Sequence, residues 1–238
     1  MKRICILVIG VFLASCASQT IRPADFEQGI VKTKHLSFLT WERVKEKEKP
    51  LRIYLEDSGT PEPKKQIALK LAMKDPSTGV IYLARPCQYI HSSQCTPDVW
   101  KKGRFNPEIV QEMKEAMIQL IKTYRAPYVE LVGYGDGAAM ALLLASRVRG
   151  VRRVVSIGGV LDTSELDLDE HALNPAKEVE RLTLLPQLYF VGDKDNVAPY
   201  AKTKAFTRLI PNAVSTTIKT VSNTHHTDWE QVEFEKYY

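Results

Sequence analysis

The chain lacks a second apolar run of membrane length. Beyond residue 18 nothing approaches the roughly 20 consecutive apolar residues that a spanning helix needs, so any membrane association must come from the first residues. Charge of one sign is also missing. Lys and Arg total 33 against 28 Asp and Glu, a net +5, and runs such as KEKEK at 45–49 alternate in sign, so nucleic acid is not an expected partner. Cysteine is scarce, with four in 238 residues and no clustered spacing of the kind that holds zinc. No internal repeat or low-complexity tract is present, which excludes solenoid architectures.

What is present begins with MKRICILVIGVFLASCAS. Basic Lys2 and Arg3, a short apolar core and small residues before Cys16 describe a secretory signal peptide over residues 1–15. Leu13-Ala14-Ser15-Cys16 resembles the lipobox of bacterial lipoproteins, which implies that Cys16 becomes the lipidated first residue of the mature chain. Ala17, rather than aspartate, is what outer-membrane lipoproteins usually carry there. The expectation is a protein of the bacterial cell envelope, held to a membrane through its N-terminal lipid. Residues 16–50 read as a tether and edge element, and 51–238 as a single domain. Cys5 leaves with the signal peptide, and in an exported protein the remaining Cys87 and Cys95 suggest a disulfide. So short a loop would contribute about 2 to 3 kcal/mol at most on chain-entropy grounds. The alternative, a metal site, would have only His91 as a candidate third ligand.

From residue 51 onward β-rich runs alternate with helical patterns, the sign of an α/β domain with a mostly parallel sheet covered on both faces. LRIYL (51–55), GVIYLA (79–84), YVELVGY (128–134), VRRVVSIG (151–158), PQLYFVG (186–192) and VSTTIKTV (214–221) are nearly all apolar, as buried parallel strands should be. Asn106 and Pro107 open a helix as N-cap and first residue. In that helix Ile109, Val110, Met113, Ala116, Met117, Leu120, Ile121 and Tyr124 recur at three- and four-residue spacing, a core-facing stripe. AAMALLLA at 138–145 is apolar all round, and so is expected to be a central, buried helix.

The run of elements, the strand that ends in GYGDG, and the late GDKDNVAP followed by histidine resemble the α/β-hydrolase fold, without a large lid. More narrowly, YLARPCQY (82–89), Cys95, Trp100, RFNPEIV (104–110), SIGGVLD (156–162) and LNP (173–175) are similar to a group of bacterial α/β-hydrolase-like lipoproteins. In that fold a nucleophile sits in GxSxG on a strained turn between strand and helix. Gly133 and Gly137 take the outer glycine positions here, which puts Gly135 at the serine position. A shifted register would make Asp136 a carboxylate nucleophile, but Tyr134 would then stand where a small residue is needed. Asp136 also occupies the residue whose amide helps form the oxyanion hole, where its carboxylate would oppose developing negative charge; its structural role would be helix N-cap. The other half of the hole resembles EGDG in the family, and this chain has Glu56-Asp57-Ser58-Gly59. Gly59 matches, Asp57 replaces a glycine, and Ser58 is a conceivable but elbowless nucleophile. Asp195 matches the acid of the triad. Counting four residues forward to Trp229 selects His225, rather than His226, as the base.

Losing the serine of a triad costs about 10⁶ in turnover. The leading expectation is therefore a catalytically silent hydrolase-fold lipoprotein that binds a small ligand or envelope protein, with no cofactor or metal. The alternative is an active hydrolase of ester or amide bonds that uses Asp136 or a water activated by His225. Gly133, Gly135 and Ala138 also fit a loose dinucleotide fingerprint with Asp162 as the ribose acid, a third reading.

Overall fold

The computed structural model describes residues 21–58, 60–90, 92–211 and 215–232. The expected signal peptide over residues 1–15, Cys16, Gly59 and His91 lie outside the described residues. In chain order the elements are β1 Glu27–Lys32, β2 Ser37–Val44, β3 Leu51–Leu55, α1 Ile67–Lys74, β4 Gly79–Leu83, α2 Pro97–Trp100, α3 Pro107–Tyr124, β5 Val129–Tyr134, α4 Asp136–Ala145, β6 Val151–Ile157, β7 Gln187–Gly192, α5 Tyr200–Leu209 and β8 Thr216–Val221. They build one eight-stranded sheet in the order β1-β2-β4-β3-β5-β6-β7-β8. From β4 to β8 neighbours run parallel, whereas β1 and β2 pair antiparallel at one edge.

Alternation along the strands divides the interior into two layers. Leu51, Ile53, Leu55, Leu131 and Val154 pack on one face with Met113 and Met117 of α3, the apolar body of α4, and Phe206 of α5. Tyr54, Tyr82, Val132, Val155 and Phe190 pack on the other with Ile67, Leu69 and Leu71 of α1 and with Trp229. The apolar sequence of α4 is explained by its position: Asp136 through Leu144 are all buried. All six strands expected from residue 51 onward form, and α3 starts after Asn106 with Pro107 in its first turn.

In the region read as a tether and edge element, the edge element is a two-stranded hairpin. Residues 27–44 form the hairpin β1–β2, and β2 registers Trp41 against Tyr82 of β4. Glu112, buried on the core side of α3, accepts N–H bonds from His35 and Leu36 at 3.3 Å each and a hydroxyl bond from Thr33, so the hairpin turn is tied to the domain. Its edge strand carries Glu27, Gln28 and Lys32 on exposed positions, which hid the β pattern and also discourages pairing with another chain. No helix among the described residues is long and apolar enough to cross a membrane.

Cys87 and Cys95 are joined, with Cα atoms 5.5 Å apart and eight residues of separation. They close the loop after β4 that leads into α2. On chain-entropy grounds the double substitution Cys87→Ala, Cys95→Ala is expected to lower stability by about 2.5 kcal/mol with circular dichroism unchanged. Denaturant unfolding measures it, and a loss below about 0.5 kcal/mol would show that the bridge does not constrain the unfolded chain.

Candidate functional site

The ends of β3, β5, β7 and β8 converge at the carboxyl edge of the parallel sheet, where ligands of open α/β folds bind. The turn from β5 into α4 is the tightest part. A Cβ at Gly133 would fall 2.3 Å from the Gly137 carbonyl oxygen, and one at Gly137 would fall 2.2 Å from that of Leu55, so strand, turn and helix approach through glycine alone. Gly135 sits at the apex with φ 54° and ψ −124°, the strained backbone that an elbow imposes. It is the N-cap of α4 and Asp136 is the first helical residue, so the capping role expected of Asp136 belongs to its neighbour.

The apex is covered by a carboxylate from another loop. Asp57, just past β3, accepts the Asp136 amide N–H on Oδ1 at 2.9 Å, and the same oxygen lies 2.7 Å from where a Cβ on residue 135 would be. One carboxylate therefore occupies both the space of a nucleophile side chain and the amide that would meet an oxyanion. Burial and then the nearby Asp136 carboxylate push Asp57 above the usual carboxylate range, against the Asp136 and Ser58 amides and the charge of His226.

Asp136 is turned away from the apex. Its Oδ2 accepts from Arg104 Nε at 2.7 Å and from Ser58 Oγ at 2.5 Å. It is thus a paired carboxylate rather than a poised nucleophile, and Ser58 donates to it rather than standing over an elbow. Arg85, 2% exposed, donates from Nη2 to the Arg104 carbonyl at 3.0 Å. Burial lowers Arg85 to about 10, opposed by Asp136 and Asp57. Neither arginine was singled out from sequence. The signal was indirect: two carboxylates gathered at one buried turn require cations nearby, and RFNP and YLARP supply them.

The acid–base pair exists, with one correction. Asp195 receives His226 Nδ1 on Oδ2 at 2.9 Å, whereas His225 is exposed and pairs with Asp228 at 2.8 Å. Consecutive residues project in different directions, so the count to Trp229 could not decide between them. Burial raises Asp195, but the bond from His226, the amides of Ala198 and Val197 and the histidine charge outweigh it and hold the carboxyl below its usual range. Tyr134 Oη donates to the His226 carbonyl at 3.0 Å. With Nδ1 engaged, Nε2 is the ring nitrogen left for proton transfer.

Asp57, Ser58, Arg104, Asp136 and His226 line a cavity of about 400 Å³. The dinucleotide reading does not survive this geometry. A diphosphate would need the first α4 amide, that of Asp136, which the Asp57 carboxylate already holds, and Asp162 is bonded to the Ser164 amide and to Asn174 Nδ2 in its own loop. Among the described residues no group of three or more His, Cys, Asp or Glu is placed to hold a metal ion.

The model of a serine hydrolase family, FSH1, matches residues 64–227. Among curated proteins no sequence match is found. Solved structures with this fold include a Pyrococcus furiosus esterase (13% identity, 89% of this chain and 87% of the other, TM-score 0.65). A serine hydrolase homologue from Coxiella burnetii aligns at 17% identity over 88% and 92% of the two chains with a TM-score of 0.63. Est1E from Butyrivibrio proteoclasticus aligns at 14% identity over 84% and 90%, with a TM-score of 0.61. At these identities the likeness is one of fold.

Glu56, beside Asp57, yields a pH prediction. Burial pushes it up to about 7, against N–H bonds from Ala68 and Asp57. Because the folded value exceeds the unfolded one, the folded state gains protons. The stabilisation is complete below about pH 4.5 and is lost as pH rises through about 7. Glu56→Gln, which keeps an acceptor for Ala68, is expected to remove this loss. Between pH 4.5 and 7.5 the wild type should fall by about 3 kcal/mol relative to the variant, measured by denaturant unfolding. Parallel curves would refute it.

Proposed function

The chain belongs to the serine hydrolase (FSH1) family, and on that premise we propose that it has kept the family's acid and base while giving up its nucleophile, and serves as a ligand-binding protein. The observation that carries this reading is the Asp57 carboxylate, 2.9 Å from the Asp136 amide and 2.7 Å from the Cβ position of residue 135. Serine attack needs an Oγ at that apex and an amide free to receive the oxyanion. Here the first is replaced by Gly135 and the second is satisfied internally. Removing the serine of a triad costs about 10⁶ in turnover. A filled oxyanion hole adds to that loss, because one such donor is typically worth a factor of about 10² to 10³.

Asp136 pairs with Arg104 and Ser58, so it does not support the reading in which this carboxylate attacks the substrate. The test is reversion. Gly135→Ser alone is expected to remain silent on short p-nitrophenyl esters, because Asp57 still fills the site. Gly135→Ser with Asp57→Gly is expected to raise turnover at least a hundredfold over the wild type, and His226→Ala in that background should abolish the gain, whereas His225→Ala should not. Labelling of the wild-type protein by a fluorophosphonate probe at any serine would overturn the reading.

We place the protein at the bacterial cell envelope, on the ground that its N-terminal pattern resembles a lipobox: lipid on Cys16 would hold it to the outer membrane. Ile21, five residues on, donates its amide to Gln66 Oε1 at 2.9 Å. Gln66 in turn bonds Tyr89 at 3.0 Å, and Ala68, in the first turn of α1, bonds Glu56. The anchored end of the chain is thereby fastened near the loop that carries Asp57. Metabolic labelling with an alkynyl fatty acid is expected to mark the wild type and not Cys16→Ser; equal labelling of both would remove the anchor.

A further inference from the structure

The acid–base pair does not account for a second, larger cavity. It measures about 590 Å³ and is walled by Leu161, Leu166, Val197, Ala205, Phe206 and Leu209. Val160, Leu166 and Val197 line both this cavity and the charged one over the elbow, so the two adjoin in one trough. Val197 and Leu209 are 47% and 49% exposed; large aliphatic side chains left open around a concavity mark a binding surface more than a passive one. The charged groups at its rim are already satisfied: Lys202 pairs with Glu165 at 2.7 Å, and Asp162 is held by Ser164 and Asn174.

The other end of the trough carries Lys101, Lys102 and Arg104. The carboxylates facing them are engaged: Asp57 by an amide, Asp136 by Arg104, and Asp167 by Lys102 at 3.0 Å. Lys101 has no carboxylate partner among the described residues. Behind this end lies buried Arg85, whose Nε and Nη1 have no hydrogen-bond partner. Its charge adds to a positive field in a setting where solvent screens poorly.

We propose that the trough binds a single-chain amphiphile with an anionic head, its chain in the apolar cavity and its head against Lys101 and Lys102. This rests on the ligand-binding reading above and gives that ligand a chemical class. A carboxylate and a phosphate monoester share the recognition chemistry, the first supplied by a free fatty acid and the second by a lipid headgroup.

The test is calorimetric titration of the full chain in a bilayer nanodisc, blanked against the empty disc, with octanoate, decanoate, dodecanoate, dodecyl phosphate and dodecyltrimethylammonium. Affinity is expected to tighten about two- to fourfold per methylene, and the ammonium compound to bind at least tenfold more weakly than dodecanoate. Dodecyl phosphate tighter than dodecanoate would name a lipid headgroup as the source, and the reverse a free fatty acid. Ala205→Trp, a filling substitution at an exposed wall position, is expected to flatten the chain-length series. Lys101→Glu with Lys102→Glu is expected to erase the preference for anions. No binding by any compound, or equal binding of cation and anion, would overturn the proposal. Ester turnover by the wild type, measured separately, would end the silent reading and leave this ligand assignment to stand or fall on the titrations.

Discussion

The amide of Asp136 emerges at the start of α4, where unsatisfied N–H groups and the helix dipole concentrate positive charge, and the Asp57 carboxylate accepts it at 2.9 Å. The surrounding arrangement follows from that contact. The carboxylate reaches the amide through the space that Gly135 leaves, because a Cβ there would lie 2.7 Å from Asp57 Oδ1 and would crowd it. Gly135 and Asp57 are therefore one structural unit built from two positions. Glycine opens the apex and aspartate closes it, so a side chain at residue 135 meets an obstruction and glycine at residue 57 leaves the apex vacant.

The same contact explains the charges around it. Burying Asp57 near Asp136 would be costly without compensation, since two carboxylates in a poorly screened site repel. Arg104 neutralises Asp136 through Nε, Arg85 sits buried behind both, and His226 faces Asp57 with a favourable charge. The result is a polar plug held from several sides. An elbow that must admit a substrate carbonyl needs the opposite, an unoccupied amide beside a free hydroxyl.

Much of the fold was legible because buried parallel strands are nearly all apolar, and β3 to β8 advertise themselves as such. The hairpin β1–β2 was not, since its outer strand is an exposed edge with charged residues and carries no alternation to read. At the site, the glycine register at 133, 135 and 137 was readable because each residue answers a local steric demand. The position of Asp57 was not. Its substitution for glycine was visible, but whether the carboxylate would point to solvent or into the turn depends on how β3 lies beside β5, a long-range pairing of Leu55 with Gly133. The choice between His225 and His226 failed for a similar reason: side-chain direction within a turn is set by φ and ψ, which spacing does not encode.

The Asp195–His226 pair has a structural role of its own. Asp195 accepts the amides of Val197 and Ala198 at 2.9 and 2.8 Å while holding His226, and Val197 and Ala198 are walls of the apolar cavity. Tyr134 Oη, at the end of the central strand, fixes the His226 carbonyl. The pair thus joins the loops after β7 and β8 to β5 and shapes one side of the trough. Removing either partner would leave a buried charge or an unpaired ring at that junction, which costs more than a lost surface contact. A pair able to move a proton is in this arrangement also the framework of a pocket, a role it fills whether or not any bond is broken there.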